Sequence, residues 1–279
     1  ASSAHAAGGD FNGDGRDDLA FLSGDRARVA LVFGRAGGLP AFVDPFDGAA
    51  GTRQLELGAS DGLRLAFLGD HDGDGFDELG VQRGRGLVDV IYGNASGTPR
   101  RSSLSAPTSL QPVDLSPLAR LGRIRSGGVS ADSFAIGLDD GSHAVIFGNA
   151  AGLPATLDLS ALGAAGTYLR TPLGISGGFN PAATPGLLVG TGDVDGDGID
   201  DLAMAYRQPS ADGSPSQPVA LLKGRNSWPA EIDVSSSDPT LVQGRILLRD
   251  LKGRPVTGLA GLRDRIVDGR GELLISLAD

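Results

Sequence analysis

The sequence predicts an all-β protein, and three observations support this prediction. Glycine contributes 45 of 279 residues. Only four of the 34 acidic residues are Glu and only two of the 24 basic residues are Lys, so the helix formers Glu and Lys are scarce. The apolar stretches are four to eight residues long and end at Gly, Pro, Asp or Ser, which is typical of short strands joined by tight turns.

A repeat of about sixty residues organises the chain. Three nearly identical acidic segments begin at Asp10, Asp70 and Asp193, and the second interval is about twice the first. A decayed copy is therefore expected near residues 125–137, and a further start is present at Asp264. The predicted repeats cover about 1–60, 61–118, 119–184 and 185–257, with a partial repeat at 258–279.

Each repeat is predicted to contain four short strands, with the acidic loop between the first and the second. The predicted fourth strands are Gln54–Leu57, Gln111–Leu115, Thr156–Leu159 and Glu231–Val234. Four-stranded units repeated at this spacing are typical of β-propeller blades. We therefore expect one domain over 1–279, a β-propeller of four full blades and a partial fifth. A pair of β-sandwiches is the alternative, but a single repeat phase runs through the chain.

The acidic loops are predicted to bind calcium. Each places oxygen ligands at positions 1, 3, 5 and 9, with a backbone carbonyl available at position 7, and Ca²⁺ takes six to eight oxygen ligands. Position 12 is apolar and strands follow each loop, which excludes an EF-hand. The predicted ligands are Asp10, Asn12, Asp14, Arg16 (carbonyl) and Asp18 in the first loop, Asp70, Asp72, Asp74, Phe76 (carbonyl) and Glu78 in the second, and Asp193, Asp195, Asp197, Ile199 (carbonyl) and Asp201 in the fourth.

The remaining two loops are expected to differ. The decayed third loop lacks the acidic pattern and should bind no metal. The terminal loop keeps Asp264, Asp268 and Glu272 but has Ile266 at position 3, so at most a weak fourth calcium site is expected there.

Composition excludes several classes of function. A net charge of −10 disfavours nucleic acid and anionic membranes as partners. The absence of Cys excludes disulfides, zinc-thiolate sites and thiol catalysis. No apolar run approaches the roughly 18 residues of a membrane span, so membrane insertion is not expected. The first residue is Ala1 rather than Met, as in a secreted chain after signal removal.

The acidic loops and the dipeptides Phe33-Gly34 and Phe147-Gly148 resemble the FG-GAP repeat of integrin alpha subunits and of many bacterial secreted proteins. Tyr92-Gly93 is a variant of the dipeptide, and Lys223-Gly224 departs from it. The resemblance covers nearly the whole chain. It implies a β-propeller with calcium loops in its blades, an extracellular setting and a role in adhesion.

The function expected from these features is that of a secreted or cell-surface interaction module, in an extracellular and bacterial setting. A protein or glycan partner is expected on the face opposite the calcium loops, where the insert 207–218 lies, with Arg207, Gln208 and Asp212 as candidate contacts. The loop 174–185 is expected on that same face.

Two other functions compete with this expectation. One is a structural subunit that self-associates when a neighbouring chain completes the partial blade. The other is an accessory domain of a secreted hydrolase or lectin. Catalysis by the chain itself is not expected, because Ser176 in Gly174–Gly178 lacks the strand-turn-helix setting of a nucleophile elbow.

Overall fold

The computed structural model is built almost entirely of β-strands. It describes residues 5–48, 50–57, 62–83, 86–106, 118–125, 130–138, 140–171, 187–206, 208–209, 215–216, 218–235, 245–248, 256–262 and 270–277. Within these ranges the only helix is a single 3₁₀ turn at Gly163–Ala165. The all-β prediction is therefore confirmed.

Twenty-two strands follow one another within these ranges. They are β1 (His5–Gly9), β2 (Asp18–Leu22), β3 (Arg28–Val32), β4 (Thr52–Glu56), β5 (Gly62–Gly69), β6 (Glu78–Arg83), β7 (Leu87–Ile91), β8 (Arg101–Ser105), β9 (Leu118–Gly122), β10 (Ser133–Gly137), β11 (His143–Ile146), β12 (Thr156–Asp158), β13 (Gly166–Arg170), β14 (Leu187–Gly192), β15 (Asp201–Ala205), β16 (Gln208–Pro209), β17 (Pro215–Ser216), β18 (Val219–Leu222), β19 (Glu231–Asp233), β20 (Arg245–Leu248), β21 (Val256–Leu262) and β22 (Glu272–Leu277).

These strands form small sheets that follow the sequence repeats. Sheets β1-β2-β3-β4, β5-β6-β7-β8, β9-β10-β11-β13 and β14-β15-β18-β20 are antiparallel throughout, and β21-β22 is a two-stranded fifth sheet. The first strands β1, β5, β9, β14 and β21 lie side by side in this order. An acidic loop leads from the first to the second strand of the first, second and fourth sheets, as predicted.

Successive sheets pack face to face, because their strands are apolar on both sides. In β15, Leu202 and Met204 join the core shared with the third sheet, whereas Ala203 and Ala205 join the core shared with the fifth. All five residues of this strand are buried. Such a sheet exposes apolar surface to water unless a neighbour covers each face, so the sheets stabilise one another.

Two predicted outer strands belong to a neighbouring sheet. Thr156–Asp158 pairs in parallel with β8, and Glu231–Asp233 pairs in parallel with β13. The outer strands of the third and fourth sheets are instead β13 and β20. The prediction placed both segments in their own repeats and was wrong, because a three-residue segment pairs with whichever open strand edge tertiary packing brings to it.

The outer strand of the second sheet is β8, Arg101–Ser105. The predicted strand Gln111–Leu115 lies outside the described residues, so it does not enter this comparison. Strand β8 lies within the Ser- and Pro-rich segment 98–112, whose composition is more typical of a loop. Its alternating burial shows why it pairs: Ser102 and Leu104 point into the core, and Leu104 is fully buried.

The close approach of β14 to β9 requires glycine at residue 190. A Cβ on Gly190 would lie 2.5 Å from the carbonyl oxygen of Leu121, a distance that real Cβ contacts do not reach. We expect Gly190→Ala to reduce the free energy of unfolding by about 2 kcal/mol, because backbone on both strands must shift. Urea unfolding would measure this loss. Gly24→Ala is the matched control, since its Cβ meets nothing within 4 Å, and equal effects of both changes would contradict the explanation.

Candidate metal centre

The first aspartate of each acidic loop shapes the turn that follows it. Asp193 accepts backbone N–H groups on both carboxylate oxygens, from Gly196 at 2.7 Å, Asp197 at 3.1 Å and Gly198 at 2.7 Å. Asp70 accepts all three corresponding N–H groups in its own loop, and Asp10 accepts two of them, from Asp14 and Gly15. These hydrogen bonds hold each loop as one compact turn beside the sheet edge.

The ninth residue of the first and fourth loops is a buried carboxylate with a structural role. Asp18 accepts the N–H of Phe11 at 2.9 Å and the N–H of Gly34 at 2.9 Å. Asp201 accepts the N–H groups of Val194 and Gly224 in the same way, at 2.9 and 2.7 Å. Both carboxylates therefore join the loop to the end of the third strand. Burial raises the pKa of Asp18 to about 6.

The glycine that follows the third strand also packs against the loop. A Cβ on Gly34 would lie 2.5 Å from the carbonyl oxygen of Asp17, and a Cβ on Gly93 would lie 2.7 Å from that of Asp77. The Phe-Gly and Tyr-Gly dipeptides therefore keep glycine where strand and loop backbones touch.

The second loop brings three carboxylates together. Asp70, Asp72 and Glu78 each offer an oxygen within 4.8 Å of the others. Glu78 is fully buried and accepts the N–H of His71 on Oε2, while its Oε1 is buried and has no hydrogen-bond partner. Oδ1 of Asp72 is likewise buried without a partner. Buried acceptors without donors are costly, so this arrangement is suited to a cation.

The electrostatics of the second loop agree with this geometry. Burial, together with smaller contributions from the neighbouring carboxylates of Asp72, Asp70 and Asp74, raises the pKa of Glu78 to about 9. Burial also raises the pKa of Asp72. In the absence of a cation the protein therefore keeps a proton on Glu78 at neutral pH.

The fourth loop brings together Asp193, Asp195 and Asp197, whose oxygens also lie within 4.8 Å of one another. Its ninth residue, Asp201, is not part of this group. Both loops could hold a metal ion.

The first loop differs from the other two. Within the described residues, Asp10, Asp14 and Asp18 do not reach the spacing found in the second and fourth loops. Asn12 donates to Asp14 at 3.4 Å, and the guanidinium of Arg16 lies 3.8 Å from the same carboxylate.

The predicted carbonyl ligands all occupy equivalent places. The backbone N–H groups of Arg16, Phe76 and Ile199 donate to Asp14, Asp74 and Asp197 at 2.9–3.0 Å. Coordination through their carbonyls stays a prediction. Of the terminal loop, Asp264 and Asp268 lie outside the described residues, and Glu272 begins β22.

Two basic residues at the loops were not predicted. The guanidinium of Arg100 lies 2.9 Å from Oδ2 of Asp72 and stacks on the ring of Tyr92, 3.6 Å from its centroid. The ammonium of Lys223 lies 2.5 Å from Oδ2 of Asp195. Nothing in the sequence around Arg100 indicates this contact, whereas the departure of Lys223-Gly224 from the dipeptide pattern was a visible signal.

The predicted partner contacts are less fully defined. Arg207 and Asp212 lie outside the described residues, as do Gly174–Gly178 and the rest of the loop 174–185. Gln208 belongs to β16, which pairs with β17 and closes the base of the insert as a short hairpin.

Comparison with known proteins adds no family assignment: no family model matches the chain, and the search of curated proteins finds no significant match. Among the described residues there is no helix long and apolar enough to cross a membrane.

The raised pKa of Glu78 predicts a pH-dependent stability in the presence of chelator. Folding keeps the proton up to about pH 9, whereas the unfolded chain loses it near pH 4.5. The contribution of protonated Glu78 to the free energy of unfolding is thus fully present below about pH 4.5 and is lost as the pH rises towards 9. We expect Glu78→Gln to be more stable than the parent in chelator at pH 8 by about 3 kcal/mol.

Urea unfolding at pH 5 and pH 8 would measure this difference. Saturating metal should remove the stability advantage of Glu78→Gln, because a bound cation is attracted to the carboxylate of the parent and the amide carries no charge to attract it. Glu56→Gln, at an exposed position in β4, is the control and should show neither effect. A parent protein of equal stability at both pH values in chelator would contradict the prediction.

Asp201→Asn should weaken the fold whether or not metal is present. The amide has one acceptor oxygen in place of two, so either Val194 or Gly224 loses the partner of its N–H group. The expected loss in the free energy of unfolding is about 1–3 kcal/mol. Unfolding in chelator isolates this structural role, and an unchanged stability there would rule it out.

Proposed function

We propose that this chain is a calcium-stabilised β-propeller of the FG-GAP type that acts outside the cell as an interaction or adhesion module. The observation that carries the proposal is the second loop, where Asp70, Asp72 and Glu78 converge. Two of their buried oxygens have no donor, and a bound cation would satisfy both.

Calcium is the cation that these ligands fit best. The converging donors are carboxylate oxygens, which suit hard cations, and Mg²⁺ requires a stricter octahedron and retains its water. Zinc would favour His, but the group that converges in the second loop consists of carboxylates and does not include His71. The fourth loop is proposed as a second calcium site. The first loop is proposed as a third, whose ligands would move closer together around the ion.

The propeller architecture is supported by the order of the sheets. Their first strands lie side by side, and each pair of successive sheets encloses its own apolar cluster. Blades radiating from an axis have this arrangement. Four complete sheets and the β21-β22 pair correspond to the proposed four blades and partial fifth.

The proposed biological role is to present a partner surface on a rigid scaffold. The insert follows β15 at the strand end opposite the acidic loop, and at its base β16 pairs with β17. Long loops on such scaffolds are frequent binding surfaces. A protein or glycan partner is therefore proposed for this side.

A second candidate function is supported by the edge of β22. Within the described part of the chain β22 pairs only with β21, and Leu274 on it is 57% exposed. An added strand from a neighbouring copy would cover this edge, as in a polymer subunit. Sedimentation velocity at high protein concentration distinguishes the two: a monomer favours the interaction module, and concentration-dependent assembly favours the subunit.

Thermal unfolding with calcium, with magnesium or with chelator tests the proposed function. If each site binds near 10⁻⁴ M, millimolar Ca²⁺ stabilises the fold by about 1.4 kcal/mol per site. That corresponds to a rise in Tm of about 2–4 °C per site. Asp70→Asn should remove one such increment, whereas the control Glu56→Gln should keep it. Equal effects of calcium and magnesium, or no effect of either, would contradict the proposal.

A further inference from the structure

Lys223 occupies a position that is aromatic in the other three repeats. Phe33, Tyr92 and Phe147 each precede the glycine that follows the third strand of their repeat. Lys223 precedes the equivalent Gly224. Tyr92 and Phe147 are almost fully buried in the cores between sheets. The lysine cannot bury its charge in this way, and its ammonium extends instead to the acidic cluster of the fourth loop.

The hydrogen bonds of the fourth loop leave a particular oxygen for this ammonium. Both oxygens of Asp193 accept backbone N–H groups, and Oδ1 of Asp195 accepts that of Asp197 at 3.2 Å. Oδ2 of Asp195 is the atom that Lys223 approaches at 2.5 Å. This contact raises the pKa of Lys223 and lowers that of Asp195, so both groups stay charged.

The second loop has a basic neighbour too, but it is held differently. Of the two oxygens of Asp72, Arg100 contacts Oδ2, and its guanidinium stacks on Tyr92; Oδ1 of Asp72 stays buried and unpartnered. Its Glu78 also keeps one oxygen without a donor. The second loop therefore retains two buried acceptors for a metal although Arg100 lies beside it, whereas among the described residues no carboxylate oxygen of the fourth loop is buried without a partner.

We propose that the ammonium of Lys223 is a built-in counter-cation of the fourth loop, and that a divalent ion binds there only in competition with it. The inference rests on the proposed function, in which both loops bind calcium. It assigns the two loops different roles: the second is the high-affinity site, and the fourth keeps its shape without metal. The flexible lysine side chain can leave Asp195, so the fourth loop still binds calcium when its concentration is high.

Site-resolved calcium titration tests this inference. The N–H of Gly75 donates to Asp70 and the N–H of Gly198 donates to Asp193, so their NMR signals report the second and fourth loops separately. In the parent protein Gly75 should respond at lower calcium than Gly198. In Lys223→Gln the apparent Kd at Gly198 should fall about tenfold, because a positive charge a few ångströms from the ion is removed, and Gly75 should not change.

Three further variants complete the test. Lys223→Arg keeps the charge and should retain the weak affinity at Gly198, whereas Lys223→Phe restores the residue of other repeats and should behave like the Gln variant. Arg35→Gln changes the net charge equally in the first repeat and is the control. The inference would be overturned if the apparent Kd at Gly198 is unchanged or higher in Lys223→Gln. It would also be overturned if the NMR signal of Gly198 does not respond to calcium in any variant. Failure of the proposed function is distinct, because Gly75 would then not respond to calcium.

Discussion

Each inner sheet of this protein is apolar on both faces, and that constraint governs the rest of the structure. In the fourth sheet, Met204 packs towards the third sheet and Ala203 towards the fifth. Neither face can remain in water without a large loss of hydrophobic free energy. The repeats therefore stack in order, and the close contacts between their first strands follow, including the one that requires Gly190.

The acidic loops contribute to this stacking before any metal is considered. The N–H of Asp77 donates to the carbonyl of Asp10 at 2.8 Å, and Asp200 and Gly271 make the same bond to the preceding repeat, at 3.1 and 2.7 Å. In the first and fourth repeats, the ninth carboxylate joins the loop to the end of the third strand. An acid at that position thus has a structural reason to recur, and of Asp18, Glu78 and Asp201 only Glu78 has a buried oxygen without a hydrogen-bond partner.

Charge balance differs between the loops because of residues outside them. Position 3 is neutral Asn12 in the first loop, whereas Asp72 and Asp195 are paired with Arg100 and Lys223. In each pair the positive charge offsets part of the repulsion among carboxylates that folding brings close together. Loops that are nearly identical in sequence therefore present different electrostatic environments, and this supports treating them as sites of unequal affinity.

The sequence by itself determined the local features of the protein. Short apolar stretches between glycines and aspartates specified strands and turns, and the repeat specified which strand each acidic loop follows. Those signals are local because alternation, turn chemistry and the Asp-x-Asp-x-Asp-Gly spacing act within a few residues.

Tertiary structure decided the pairing of short strands and the partners of charged groups. Thr156–Asp158 and Glu231–Asp233 carry strand propensity but no information on which sheet they join, and packing brings them to the edge of a neighbour. Arg100 is 28 residues from Asp72 in the chain, and Lys223 is 28 residues from Asp195. Such contacts depend on the position of whole sheets, so only the folded chain shows which carboxylates have a basic partner and which keep an oxygen without a donor.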